Sequence, residues 1–239
     1  MAYKKKTITA GKVKEVTLYH ESSCQSPKRP KNKNVNKKQD DKKNERRACK
    51  KLYLLMNANF KTSDLYLTLT YSTEPSEEEA KKERKKFIRK LHSRYQKSGI
   101  ILKYIAITEG NRTHHHILIN SVELNIEEIK KMWKLGFIKI QLFMGEPEDC
   151  ERLANYFMKK SKSTVNNKCK PYGKRWSGSE SLVHPVPEVE VVPASTWRKE
   201  PKPIKGYYID VIIKGFTQHN YPYQFYRMIK IPGGDEKPI

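Results

Sequence analysis

The chain has 239 residues, of which 36% are hydrophobic and 31% charged, and its formal net charge is +23. That length allows one sizeable domain or a domain with extensions, and the apolar fraction permits a core of modest size. A surface this basic repels itself and attracts polyanions, so nucleic acid or an anionic membrane surface is the expected partner. No apolar run approaches the roughly 18 residues of a membrane helix, and no apolar segment follows the basic start MAYKKKTITAGK. A cytoplasmic protein with no membrane association is therefore expected. The 4 cysteines (Cys24, Cys49, Cys150 and Cys169) show no CxxC spacing. This argues against a zinc finger or a disulfide frame and leaves reduced thiols.

Residues 1–61 carry 18 Lys and Arg against 5 Asp and Glu, so more than half of the net charge lies in the first quarter. KVKEVTLY alternates weakly, like a short strand. SPKRPKNKNVNKKQDDKKNERR has almost no apolar residue with which to build a core, and is expected to be mobile or ordered by DNA. NERRACKKLYLLMNANF reads as a basic helix with Leu52, Leu55 and Met56 on its apolar side. The pattern changes at LYLTLTY, where Leu65, Leu67 and Leu69 alternate with Tyr66, Thr68 and Thr70, as in a half-buried strand. In the next segment Ser76 and Glu79 form a capping box. Glu77/Lys81 and Glu78/Lys82 are i,i+4 pairs. Phe87, Ile88, Leu91 and Tyr95 make a buried stripe, and Gly99 is a stop signal.

IILKYIAI then reads as a strand and HHILIN as its hairpin partner across the turn EGNRT. NIEEIKKMWKLG reads as a helix ending at Gly136, FIKIQLFM as a strand, and PEDCERLANYFMKKSK as a helix from about Pro147. This order predicts an α+β fold with a βαββαβ, ferredoxin-like core: a central antiparallel sheet with helices packed on one face. By composition the chain divides into a basic N-terminal arm (1–61), the core (62–165), and a basic loop with a C-terminal strand extension (166–239). In that extension GYYIDVIIKG and YQFYRMIKI either lengthen the sheet or form a small hairpin.

The histidines of EGNRTHHHILIN are split by strand alternation. His114 and His116 share one face, while His115 keeps parity with Ile117 and Ile119 on the core side. Alone, a His-x-His pair reads as surface decoration and Glu109 as a turn carboxylate. Together, across a hairpin, two imidazoles and a carboxylate suit a metal with open coordination positions. On the later helix Tyr156 and Lys159 lie three apart on one side. Tyr156 reads equally as core. A neighbouring ammonium, however, eases ionisation of a phenol, whose ordinary pKa is about 10.

LYLTLTYS, THHHILIN and LANYFMKKSK occur in that order, and the set resembles the three motifs of the HUH endonuclease superfamily. More narrowly, it is similar to rolling-circle replication initiators of bacterial phages, plasmids and integrative elements. The flanks NERRACKKLYLLMNANF and YGKRWSGSESL agree with that group. One departure is His115, where the family's motif has an apolar residue; parity favours His114 and His116 as ligands. The resemblance implies that His114, His116 and Glu109 hold one divalent cation, Mg²⁺ or Mn²⁺. It further implies that Tyr156 attacks single-stranded origin DNA to give a 5′-phosphotyrosine and a free 3′-OH. Lys159 would assist the phenol, with Lys160 as the alternative. Thr68, Thr70, Lys160, Lys174, Arg175 and Trp176 are expected to face DNA, with Tyr172 and Trp176 available for stacking on bases. The location implied is the cytoplasm of a bacterial host. Nothing matches GxxxxGK[ST], so a separately supplied helicase is expected. A relaxase or single-tyrosine transposase would share this chemistry. A non-catalytic nucleic-acid-binding protein would account for the charge but not for the ordered His, Glu and Tyr. A zinc hydrolase would leave Tyr156 without a role.

Overall fold

A computed structural model of the chain describes residues 2–20, 37–109, 112–121, 126–165, 176–193, 195, 197–217 and 220–232. The chain forms two compact units: Met1–Arg47 with His184–Ile239, and Ala48–Val183. These differ from the division by charge at residues 62 and 166. The first strands belong with the last ones, and the basic helix α1 (Lys37–Asn59) runs past the end of the first segment. Residues 21–36 of the Lys-rich run lie outside the described residues.

The unit Ala48–Val183 has the expected order: β3 (Asp64–Thr70), α2 (Glu77–Lys97), β4 (Tyr104–Glu109), β5 (His114–Ile119), α3 (Ile126–Met132), β6 (Ile138–Phe143) and α4 (Pro147–Val165). With the two-residue β7 (Ser177–Gly178), its strands form a sheet in the order β6-β3-β5-β4-β7. All the pairings are antiparallel. This is the α+β, ferredoxin-like arrangement that the βαββαβ pattern predicts.

Alternation along β3 decides which side chains go where. Leu65, Leu67 and Leu69 are buried with Phe87, Leu91 and Tyr95 of α2, Ile129 of α3, and Ile117 and Ile119 of β5. Burying these side chains stabilises the unit by roughly 1.5–3 kcal/mol each. The Ser76–Glu79 capping box is present, and Glu77 pairs with Lys81 at 2.6 Å. Helices α2 and α3 cover this one face, as expected. Helix α4 lies against the opposite face, where Phe157 meets Tyr66 and Tyr156 meets His116. The end of α1 buries Leu52, Leu55 and Met56 as its apolar stripe foretells. Among the described residues, Cys49 and Cys150 are free thiols. No helix among those residues is long and apolar enough to cross a membrane.

Gly136 has a different job from the helix stop that its position suggested. Helix α3 ends at Met132, and Gly136 lies against the end of β3. A Cβ there would stand 2.8 Å from the Ser72 nitrogen and nearer still to the Thr70 carbonyl oxygen. Both obstacles are backbone and cannot swing aside. Gly136→Ala is expected to cost about 1–3 kcal/mol, checked by urea unfolding at unchanged m.

In the other unit the two late strands do not extend the core sheet. They form a second antiparallel sheet with the N-terminal hairpin. Its strands are β1 (Ala2–Ala10), β2 (Val13–Tyr19), β8 (Glu188–Pro193), β9 (Tyr207–Phe216) and β10 (Pro222–Lys230), in the order β8-β1-β2-β10-β9.

Candidate active site

The β4–β5 hairpin sets the register that builds the site. Glu109 pairs with His114 and Ile107 with His116. On the other side of β5, Thr70 pairs with His114 and Thr68 with His116. Cross-strand partners point to the same face. Glu109, His114 and Thr70 therefore form one row across the sheet, and Ile107, His116 and Thr68 the next. Glu74 fixes the start of β5, accepting from the Thr113 backbone N–H at 2.8 Å and from the Thr113 hydroxyl. These hydrogen bonds hold the Glu74 carboxyl below its ordinary range.

His116 is the centre of the site. It is buried, and its Nε2 lies 3.5 Å from Glu109 Oε2 and 3.2 Å from the Tyr156 hydroxyl. Its Nδ1 lies 2.8 Å from the Tyr66 hydroxyl and 3.4 Å from Thr68 Oγ1, and Tyr66 is stacked on the ring. Burial first, and then the charges of Tyr156 and Glu109, push the Tyr66 phenol upward, so it stays protonated at neutral pH. His114 is half-buried, with Nδ1 2.5 Å from the Arg112 carbonyl. A carbonyl only accepts, so that nitrogen carries the proton and the neutral ring keeps its lone pair on Nε2.

His115 lies on the other face, as parity predicts, and is fully buried. Its Nε2 lies 2.8 Å from the Tyr71 hydroxyl and its Nδ1 3.0 Å from Thr108 Oγ1. Thr108 in turn accepts from Arg84 at 2.6 Å. Burial, then Arg84 and the flanking histidines, push its pKa down to about 3. It is a neutral core histidine with both ring nitrogens engaged.

Helix α4 supplies Tyr156. Cys150, Ala154, Phe157 and Met158 are its buried stripe, and Tyr156 stands half-buried beside it with its ring edge-on to His116 at 5.2 Å. Lys159 is exposed and makes no hydrogen bond or ion pair among the described residues. The side chain of Lys160 is outside the described set, as are Tyr172, Lys174 and Arg175. Trp176 is half-buried against Gly178. The Thr70 hydroxyl is tied to the Phe137 backbone, accepting from its N–H at 3.2 Å and donating to its carbonyl at 3.0 Å. Its visible job is to join β3 to the start of β6.

The structure thus brings together Glu109, His116, Tyr156 and Thr68, with His114 one row along. The His114 and His116 ring centroids are 6.4 Å apart. Among the described residues no group of three His, Cys, Asp or Glu side chains is gathered tightly enough to hold a metal ion. Tyr66 is the residue that the motif reading missed. Its parity with Thr68, together with the Thr68–His116 pairing, puts it diagonally within reach of His116. An oriented imidazole is a better ligand. Tyr66→Phe is expected to weaken Mn²⁺ binding about 10-fold or more with little change in melting temperature, measured by calorimetric titration of the folded protein.

Residues 64–164 match a family model of replication-associated proteins, the ORF2 family. The match spans β3 to α4 and includes every residue of the site just described. It makes this segment similar to replication-associated proteins and supports a role in DNA replication. No curated protein matches the chain. Among solved structures, the chain is similar to the hypothetical protein ORF119 from Sulfolobus islandicus rod-shaped virus 1. Identity is 18%, coverage is 51% of this chain and 96% of that one, and the TM-score is 0.34, too distant to carry an argument.

Proposed function

We propose that this protein initiates rolling-circle replication by nicking single-stranded origin DNA, with Tyr156 as a single nucleophile. The observation that carries this reading is the Tyr156 hydroxyl 3.2 Å from His116 Nε2, with Glu109 3.5 Å from the same nitrogen. A structural tyrosine has no need of that company.

The donor chemistry fits one divalent cation, Mg²⁺ or Mn²⁺, held by Glu109, His114 and His116. The fit rests on two features. The His114 Nδ1 is already spent on a carbonyl, which leaves Nε2 as a ligand atom. The Glu109 carboxylate stands directly across the hairpin in the same row. When bound, such a cation supplies Lewis-acid polarisation of the scissile phosphate. Tyr156 loses its proton and attacks phosphorus in line. The bond from phosphorus to the phenolic oxygen forms as the bond to the 3′ oxygen breaks. The products are a 5′-phosphotyrosine and a DNA 3′ oxygen that takes up a proton. The covalent link conserves the phosphodiester for later rejoining, when a 3′-OH attacks and Tyr156 leaves. Lys159, or Lys160 beside it, eases ionisation of the phenol through its charge. Thr68 lines the site next to His116. A helicase supplied separately opens the duplex.

The test is incubation with single-stranded DNA carrying the element's origin and Mn²⁺, followed by denaturing electrophoresis. A DNA band that stays with the protein, and is lost with EDTA, is the expected result. Cleavage that leaves no DNA attached to protein would contradict the covalent reading.

A further inference from the structure

The second sheet, in the unit Met1–Arg47 with His184–Ile239, carries a surface that the nicking reading does not use. Its pairings line up Val191, Lys4, Tyr19, Tyr223 and Gly215 in one row across all the strands. The next row on the same face is Val189, Lys6, Thr17, Phe225 and Ile213. Two lysines thus stand beside three aromatic rings on adjoining strands. The face is open at both edges in these rows: Val191 is 68% exposed, Val189 52% and Ile213 48%. Tyr19, Tyr223 and Phe225 between them are part-exposed.

Gly215 shows how one ring is seated. A Cβ at Gly215 would meet the Tyr223 hydroxyl oxygen at 2.8 Å, and Cε1 and Cζ each at 2.9 Å. Three ring atoms nearly equidistant from one point mean that the ring lies over the glycine instead of standing upright from the sheet. A ring lowered onto a glycine offers its other face for stacking. The charge on this face is positive. Glu15 shares it but is buried, and Arg227 is paired with Asp210 at 2.5 Å.

We propose that this face binds single-stranded DNA, with bases stacked on Tyr223, Tyr19 and Phe225 and phosphates held by Lys4 and Lys6. Aromatic platforms interleaved with lysines suit an unpaired strand, because every base has a π-face while a duplex hides its bases. The site would hold a strand without regard to sequence. It does not depend on the nicking reading, since neither Tyr156 nor a metal takes part.

The test uses the full chain in EDTA with a labelled oligothymidylate of roughly 20 nucleotides, somewhat longer than one platform accommodates. Anisotropy gives affinity, and ultraviolet cross-linking with peptide mapping gives location. Cross-links to peptides bearing Tyr19, Tyr223 or Phe225 are expected. Tyr223→Thr and Phe225→Thr, which keep a β-forming residue, should each weaken binding about 10-fold. Lys4→Gln with Lys6→Gln should flatten the salt dependence by about 1.4 in log–log slope. Affinities within twofold of wild type, with cross-links confined to residues 48–183, would overturn the proposal. Equal affinity for duplex, or tighter binding of oligouridylate, would overturn the assignment to single-stranded DNA. If a variant fails to fold, the wild-type cross-link map decides.

Discussion

His116→Ala is expected to abolish nicking in a protein that still folds, whereas His115→Ala is expected to lose stability and keep its chemistry. The two residues are neighbours on one strand, and alternation sends them into different environments. His115 has no solvent exposure and bonds Tyr71 and Thr108 through its two nitrogens. Removing the ring leaves a cavity beside Trp133 and strands two buried hydroxyls. Together these should cost about 2–4 kcal/mol. His116 instead spends its Nε2 on the side of Glu109 and Tyr156. Its loss removes a proposed ligand and leaves the Tyr66 hydroxyl needing a new partner, a smaller cost of about 1 kcal/mol. Denaturant unfolding, together with nicking rates per folded molecule, separates the cases. Equal loss of nicking at both positions with unchanged stability would show that the face assignment does not govern the chemistry.

Tyr156→Phe carries the other large expected effect. The substitution keeps the ring, and with it the contacts to His116 and Phe157. It removes only the oxygen, so stability should change by no more than about 1 kcal/mol. Strand cleavage and joining should fall by about 10⁴-fold or more, as when the nucleophile of a covalent mechanism is removed. Preserved DNA binding would separate this from a folding defect. A Phe variant that cleaves at the wild-type rate would remove Tyr156 from the reaction.

Much of the core was readable because its signals are local. The Leu65, Leu67, Leu69 alternation, the Ser76–Glu79 box and the Phe87, Leu91, Tyr95 stripe each need only a few adjacent residues. The division of the three histidines followed from strand parity alone, and the structure keeps it. The second sheet was hidden because its strands come from opposite ends of the chain. Lys4 and Tyr19 look like pieces of a basic arm until Tyr223 is laid beside them. The roles of single residues were hidden by long-range partners. Gly136 faces the backbone of Thr70–Ser72, the Thr70 hydroxyl serves Phe137, and Tyr66 serves His116. Tyr66 was within reach of reasoning, because pairing Thr68 with His116 fixes its place. Gly136 was not, because a helix stop and a close backbone approach both demand a glycine.

The proposed central event is a bond between Tyr156 and DNA, and it can be observed directly. Wild-type protein is incubated with single-stranded origin DNA and Mn²⁺, digested with nuclease and protease, and its peptides are weighed by mass spectrometry. The proposal predicts that the peptide containing Tyr156 gains the mass of a 5′-linked nucleotide, with fragmentation placing it on that tyrosine. Cleaved DNA accompanied by an unmodified Tyr156 peptide, or a nucleotide on another residue, would contradict it.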